Sequence, residues 1–369
     1  MTRKTKDDIM RFYKRLGYMP DIDFEVVKKY NYKNISETLE RILQNNPEPV
    51  FDLTGGSELV LAAMGELSTK YNTPMLQFDV QKGRVINVKG CEELRAAEPP
   101  EITIRDSIIL NGGDIISKKY GDFLWEIDRE LERDIGILWE ICKNNSPDWN
   151  RQTSTFARLE QFSYGYDGLC IDADLKLISP SWEKMVNERI MLMLEKNRLI
   201  HNYSKRGSKV SFRYKDAYIK RCVQKAGNVL ELYTYITTKK LERNNQTEIN
   251  DVEMGVMVDW DGKIHSEYSD VTEIRNEIDV MLMNKLLPVF ISCKNGEVHK
   301  EALYELDTVA EHYGGVYAKK VLVATYVSAE EKSRNYIIKR AEEMNITIID
   351  GVNEMNGEAF YNKLSDAIL

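Results

Sequence analysis

The sequence predicts an α/β protein built from more than one compact unit, with a doubly wound parallel domain first and a mixed-sheet domain last. Three observations carry this reading. A strand, glycine turn, helix and strand follow one another between residues 49 and 80; strand-like and helical runs alternate from residue 216 to the end; and 369 residues exceed what one ordinary core accommodates.

Taken in order, residues 7–18 (DDIMRFYKRLGY) and 36–44 (SETLERILQ) space their apolar side chains as helices do, behind acidic or capping residues. Residues 49–53 then read as a buried strand, Thr54-Gly55-Gly56 as a tight turn, 57–70 as a helix and 75–80 as a second strand. That is a βαβ unit, which builds a parallel sheet with ligands at the carboxyl ends of its strands. Residues 106–116 carry a second Gly-Gly pair after an apolar run. An amphipathic helix over 121–143 aligns Phe123, Leu124, Ile127, Leu131, Ile135, Leu138 and Ile141, a stripe that core or dimer packing explains. The polar run 144–155 (NNSPDWNRQTST) holds turn formers without periodicity and sets a boundary, so the first domain is 1–148. Residues 181–200 read as a Met- and Leu-rich helix and 207–214 as a strand, making 149–215 a small helical or winged-helix-like connector. Helix is expected over 216–240, then strands at 255–260, 277–283, 289–293, 321–325 and 347–349 and helices at 300–312 and 330–344; 216–369 is therefore the mixed-sheet domain.

Hydrophobic residues at 43% and charged residues at 30% describe a folded chain and exclude wholesale disorder. The net charge of -8 repels phosphate at long range, so a nucleic-acid partner would have to be held by local basic patches and metal. Cys91, Cys142, Cys170, Cys222 and Cys293 are scattered without zinc-ligand spacing, which argues against a structural zinc or a disulfide framework. No secretory apolar core opens the chain and no apolar run is long enough to cross a bilayer, so the cytoplasm is the expected compartment and no membrane partner is expected.

The chemistry is expected near the C-terminus. In Glu277-Ile278-Asp279-Val280 an acid alternates with apolar residues as on a half-buried strand, and in Phe290-Ile291-Ser292-Cys293-Lys294 a lysine ends another. Burying such charges costs several kcal/mol unless they are paired or bind metal. Phosphodiester hydrolysis supplies a reason: a carboxylate holds a divalent cation while a lysine positions water or offsets charge in the transition state. Hard oxygen ligands suit Mg²⁺ or Mn²⁺. A buried Asp279–Lys294 ion pair without chemistry is the plain alternative.

At these residues the sequence resembles the PD-(D/E)xK nuclease superfamily, whose core has a helix bearing Glu, a strand bearing Asp and a strand ending in acid-x-Lys. The corresponding stretches are Gly227-Asn228-Val229-Leu230-Glu231, then Asp279, then Ser292-Cys293-Lys294 with Asn295-Gly296 after it. Ser292 stands where the commonest pattern has Glu, Asp or Gln. The resemblance implies a restriction-endonuclease-like domain with Glu231, Asp279, Ser292 and Lys294 as catalytic residues. It implies metal ligation by Asp279, Glu277 and the backbone carbonyl of Cys293, with Glu231 and Glu301 as further candidates for the second acid.

Three groups carry less weight. Lys205, Arg206, Lys209, Arg213, Lys215, Lys220, Arg221 and Lys225 could track a nucleic-acid backbone or form a solvated face. His299 is read as a surface histidine, and Tyr203, Tyr214 and Tyr218 are possible base-stacking platforms among 20 tyrosines.

The Thr54-Gly55-Gly56-Ser57 turn offers free amides at a helix N-terminus, which favour an anion, but lacks the spacing of a P-loop or a dinucleotide fingerprint. Set beside a nuclease domain, it resembles the CARF-domain nucleases of type III CRISPR systems. The match runs through Leu53-Thr54-Gly55-Gly56, Ile108-Ile109-Leu110-Asn111-Gly112-Gly113 and the nuclease stretches above. The resemblance implies a Rossmann-like CARF sensor and a homodimer. A cyclic tetra-adenylate would lie across its two-fold axis, with Thr54, Gly55, Gly56, Ser57, Asn111 and Gly112 as contacts. It also implies DNA or RNA as substrate in antiviral defence. A CARF sheet normally opens with a strand and helix ahead of residues 2–7, so these are expected to be missing. Two alternatives stay open: a repair or restriction nuclease without nucleotide control, and a ligand-responsive DNA-binding regulator with vestigial nuclease residues, for which Ser292 leaves room.

Overall fold

The computed structural model describes residues 3–96, 100–116, 125–165, 167–245, 248–260 and 275–369. In chain order, α1 (Arg3–Arg15) and α2 (Tyr32–Gln44) precede β1 (Phe51–Asp52), α3 (Glu58–Tyr71), β2 (Met75–Asp79) and β3 (Arg84–Lys89). Next come α4 (Ile104–Leu110), β4 (Asp114–Ile115), α5 (Arg129–Lys143), α6 (Ser146–Leu159), β5 (Ser163–Tyr164), β6 (Cys170–Asp174), α7 (Glu188–Lys196), β7 (Ile200–Arg206) and β8 (Lys209–Tyr214). The last third holds α8 (Ala217–Gln224), α9 (Asn228–Asn244), β9 (Ile249–Asp259), β10 (Arg275–Asn284), β11 (Leu287–Lys294), α10 (Lys300–Gly314), β12 (Lys319–Ala324), α11 (Glu331–Glu343), β13 (Ile346–Ile349) and α12 (Gly357–Ile368).

These elements make a mixed α/β fold with three sheets among the described residues, ordered β1-β2-β3, β13-β12-β11-β10-β9-β4 and β5-β6-β8-β7. In the first, β1 and β2 are parallel across α3, as the βαβ reading requires, and β3 is antiparallel to β2. Its core is small, Leu43, Phe51 and Leu67 under α2 and α3, while Ile86 and Val88 of β3 stay exposed. The six-stranded sheet joins an antiparallel half, β9 to β11, to a parallel half, β11 to β13. One apolar cluster runs from Leu131 to Ile368 and unites α5, α6, the four-stranded sheet, α9 and one face of the six-stranded sheet. A second cluster fills the opposite face under α4, α10 and α11.

Two expectations are corrected. The run 144–155 is not a linker, and the expected division at 148/149 falls inside α6. Pro147 suits the first turn of that helix, and Trp149, Gln152, Thr153 and Phe156 are all buried. The buried face is partly polar, and specific bonds tie it to its surroundings: Gln152 Oε1 accepts from the Asn187 amide at 2.7 Å, and Thr155 Oγ1 donates to the Met185 carbonyl at 2.6 Å. Residues 149–215 therefore share a core with the C-terminal third of the chain instead of connecting two bodies.

The other correction concerns residues 106–116, placed by sequence in the first domain. A Thr103–Asp106 capping box starts α4, and β4 adds to β9 of the six-stranded sheet. Gly113 allows this junction, because a Cβ there would lie 2.4 Å from the Tyr313 ring of α10. Of the amphipathic helix expected over 121–143, α5 forms from Arg129; its Leu131, Ile135, Leu138 and Ile141 are core residues, Ile127 precedes the helix, and Phe123 and Leu124 lie outside the described residues. No described helix is long and apolar enough to cross a membrane.

Candidate active site

The site begins with a change of strand partners. β10 and β11 pair from Asn284↔Leu287 to Val280↔Ile291, and there the ladder between them stops. β10 continues against β9, with Glu277 opposite Met257, while β11 continues against β12, with Lys294 opposite Ala324. The strands thus part in a wedge at Asp279 and Ser292. Because side chains alternate along a strand, Glu277 and Asp279 share one face of β10, and Ser292 and Lys294 share one face of β11.

Within the wedge the Cys293 amide donates to Asp279 Oδ2 at 2.7 Å, and Ser292 Oγ donates to the same oxygen at 3.3 Å. Asp279 and Lys294 form no direct ion pair among the described residues. The carboxylate is held by the backbone of the neighbouring strand, which is not how a purely structural Asp–Lys pair satisfies itself.

Glu231 enters from α9, which packs on β9, β10 and β11. It lies in the first turn of that helix, behind Gly227, and its side chain folds back over the glycine. A Cβ at Gly227 would stand 2.7 Å from Glu231 Oε1, so the glycine makes room for the carboxylate. Lys225 Nζ lies 3.8 Å from the same oxygen. Burial first, and then the charges of Asp279 and Glu277, push the Glu231 carboxyl up to about 7 against the pull of Lys225 and Lys294. Asp279 is also raised, by burial first, with Glu277 adding to it; the Cys293 amide, Lys294 and Lys225 oppose the rise.

Partly buried carboxylates that disfavour one another's charge are relieved by a hard cation, and their oxygens suit Mg²⁺ or Mn²⁺ over softer metals. Among the described residues no three His, Cys, Asp or Glu side chains converge as a complete metal shell. The Cys293 thiol is no ligand candidate, being fully enclosed and held protonated by burial.

Beside the wedge opens a cleft of about 580 Å³, lined by Glu231, Glu277, Arg221, Lys225, Arg275 and Trp125 among others. Of the basic stretch, Lys205 pairs with Glu188 at 3.0 Å, Lys215 with Glu130 at 2.6 Å and with Asp134, Arg213 with Asp167, and Lys220 with Glu160 at 3.8 Å. Arg221 and Lys225 are the members of that stretch that reach the cleft. Tyr214 is fully buried and offers no stacking face, Tyr203 is half-buried, and Tyr218 lies 6.0 Å, centroid to centroid, from Trp125 at the cleft. Glu301 and His299 line a different cavity, between the starts of α10 and α11, and Glu301 is not brought to the wedge.

At the N-terminal turn, Asp52 Oδ1 accepts from the Thr54 amide at 2.8 Å and from the Thr54 hydroxyl, whose oxygen accepts the Phe78 amide at 2.7 Å. Thr54, Gly55, Gly56 and Ser57 are exposed, and Ser57 makes no side-chain cap to α3. Asn111 and Gly112 follow α4: Asn111 Nδ2 donates to the Ser107 carbonyl at 2.9 Å and its Oδ1 faces Gly315, at the junction of α4 with the end of α10.

Sequence reasoning missed Arg275, Trp125 and Gly255 as cleft residues. Gly255 has φ of +59°, and the register places it opposite Asp279 on β9. A glycine inside a strand-like run was the available signal.

Residues 216–358 match the family model described as "Card1-like, endonuclease domain". Two solved structures share the fold of the whole chain. Protein VC1899 from Vibrio cholerae is 18% identical with a TM-score of 0.71, covering 99% of this chain and 89% of its own. Can2 from Sulfobacillus thermosulfidooxidans, in complex with cyclic tetra-adenylate, is 15% identical with a TM-score of 0.65, covering 100% and 90%. No curated protein matches the chain in sequence.

Proposed function

With residues 216–358 as a Card1-like endonuclease domain, we propose that this protein is a metal-dependent endonuclease of type III CRISPR defence that cleaves DNA or RNA. It acts as a homodimer and is switched on by cyclic tetra-adenylate. The observation that carries the reading is the parting of β10 and β11 at Asp279, with Glu231 facing the gap from α9 and Lys294 at its rim.

Asp279, Glu277, Glu231 and the Cys293 carbonyl are the groups that would hold a Mg²⁺ or Mn²⁺ ion. Such an ion polarises the scissile phosphate and acidifies a bound water. The protein does the rest. The Cys293 amide and Ser292 hydroxyl orient Asp279. Glu231 faces the cation from α9 and, with Asp279 and Glu277, offsets its charge. Lys294 offsets the charge that develops on the phosphoryl oxygens. Arg221 and Lys225 hold flanking phosphates in the cleft. The exposed Thr54–Ser57 turn and the fold shared with Can2, whose structure contains cyclic tetra-adenylate, support the choice of activator. That ligand drives activation only to the extent that it binds the cleaving state more tightly than the resting one.

A DNA-binding regulator without cleavage is favoured by one observation, the incomplete acidic shell around Ser292. Purified protein with Mn²⁺ and labelled single-stranded and supercoiled substrates separates the readings. Cleavage that needs both Mn²⁺ and cyclic tetra-adenylate is expected. Equal cutting without the activator points to a repair or restriction nuclease, and duplex binding without cutting points to the regulator.

A further inference from the structure

We infer that Asn295 is a positioning residue that sets the placement of Lys294 relative to Glu231 by tying the end of β11 to the turn that opens α9. The inference rests on the proposed roles of those two residues. They come from different elements, and the contacts between α9 and the sheet are largely apolar, through Val229 and Leu230. Apolar packing is non-directional and tolerates sliding.

Asn295 supplies direction. Its Nδ2 donates to the Ala226 carbonyl at 2.8 Å, immediately before Gly227, and to Asn150 Oδ1 of α6 at 3.1 Å. Asn150 Nδ2 returns a bond to the Asn295 carbonyl at 3.2 Å, so the two asparagines clamp each other. On the other side, the Thr325 amide donates to the Lys294 carbonyl at 3.1 Å and the Gly296 amide to Thr325 Oγ1 at 2.9 Å. Residues 294–296 are therefore held between the end of β12 and the pair α6 and α9. The amide orientation is determined by its partners, because the flipped form would set Oδ1 against the Ala226 and Asn150 oxygens.

Ala226 is the hinge of the matter. Gly227 next to it leaves the space that Glu231 Oε1 occupies, so a shift of this turn carries the carboxylate with it. A displacement of about 1 Å in a catalytic group can cost roughly 100-fold in rate without weakening substrate binding.

The test compares Asn295→Asp, Asn150→Ala and Asp279→Ala with wild type in Mn²⁺ and cyclic tetra-adenylate, reading kcat, KM and thermal midpoint. Asn295→Asp keeps the size but turns an acceptor toward two acceptors; it is expected to lower kcat by roughly 30-fold or more with KM within about 3-fold. Asn150→Ala leaves the Ala226 bond and is expected to lower kcat by about 3- to 10-fold, again at constant KM. If Asn295→Asp does not fold, Asn150→Ala reads the same split. Wild-type kcat in the folded variants, with Asp279→Ala inactive, overturns the role of Asn295 alone. Loss in proportion to the unfolded fraction also overturns it, and cleavage by Asp279→Ala overturns the active site beneath it.

Discussion

At the β10–β11 wedge, Asp279, Glu231 and Lys294 are drawn out of water and held by a backbone amide, a glycine gap and an asparagine clamp. At the Thr54–Ser57 turn, one residue, Thr54, is tied to its surroundings, and the loop stands in solvent over a core of three buried residues. The contrast suits the different tasks proposed for the two regions. Cleavage needs charges fixed before the substrate arrives, because reorganisation during the reaction raises the barrier. A signal from outside needs an accessible loop in a unit of low local stability, where a ligand can shift populations.

Substitutions can break that comparison, beginning with the largest effect. Asp279→Ala is expected to reduce cleavage on the order of 10³-fold or more while leaving cyclic tetra-adenylate binding intact, as measured by plasmid cleavage alongside calorimetry. Gly227→Ala forces Glu231 aside and is expected to lower kcat by about 10-fold. Gly227 is the N-cap of α9, with φ and ψ of -74° and -29°, where alanine is poorer than glycine, so the thermal midpoint should fall slightly. A loss of kcat no larger than the unfolded fraction explains would mean that the glycine serves folding and not the carboxylate.

Glu231 also carries a stability signature. Its folded value of about 7 lies above the ordinary 4.5, so the folded protein binds a proton that the unfolded chain releases between those values. Stability is therefore lost as pH rises from about 4.5 through about 7, and the penalty is full above that. Glu231→Gln removes it, so the metal-free variant should be more stable than wild type at pH 8, on the order of 2–3 kcal/mol, with the gap closing toward pH 4.5. Urea unfolding at several pH values in EDTA checks this, and a gap that does not change with pH would contradict it. The smallest effect belongs to the N-terminal turn. Gly56 sits at φ of +141°, so Gly56→Ala strains the loop; it is expected to raise the cyclic tetra-adenylate concentration for half-maximal cleavage several-fold without altering the maximal rate. A drop in the maximal rate instead would place this loop in the cleavage machinery.

How far the sequence is legible differs between these regions for physical reasons. Asp279 and Lys294 stand out because an acid and a base interrupt apolar strand runs, where a buried charge requires an explanation. The strand order of the last third follows from the same periodicities, whereas the helix expected over 216–240 is broken after Gln224 into α8 and α9, and α12 was not expected. The boundary within 144–155 fails because the buried face of α6 is built from Gln152, Thr153 and Thr155 beside Trp149 and Phe156, a stripe invisible to an apolar-only reading. Residues 106–116 are misgrouped because a two-residue edge strand carries no local sign of which sheet it joins. The bonds from Asn295 to Ala226 and Asn150 depend on elements distant in the chain and leave no local sign.

The central claim is that Asp279 and its acidic neighbours bind a hard divalent cation in the wedge. Calorimetric titration of Mn²⁺ into metal-stripped wild type and Asp279→Asn above pH 7 tests it most directly. Binding by wild type, lost in the variant while the circular dichroism spectra coincide, is the predicted result; equal Mn²⁺ binding by both proteins would contradict it.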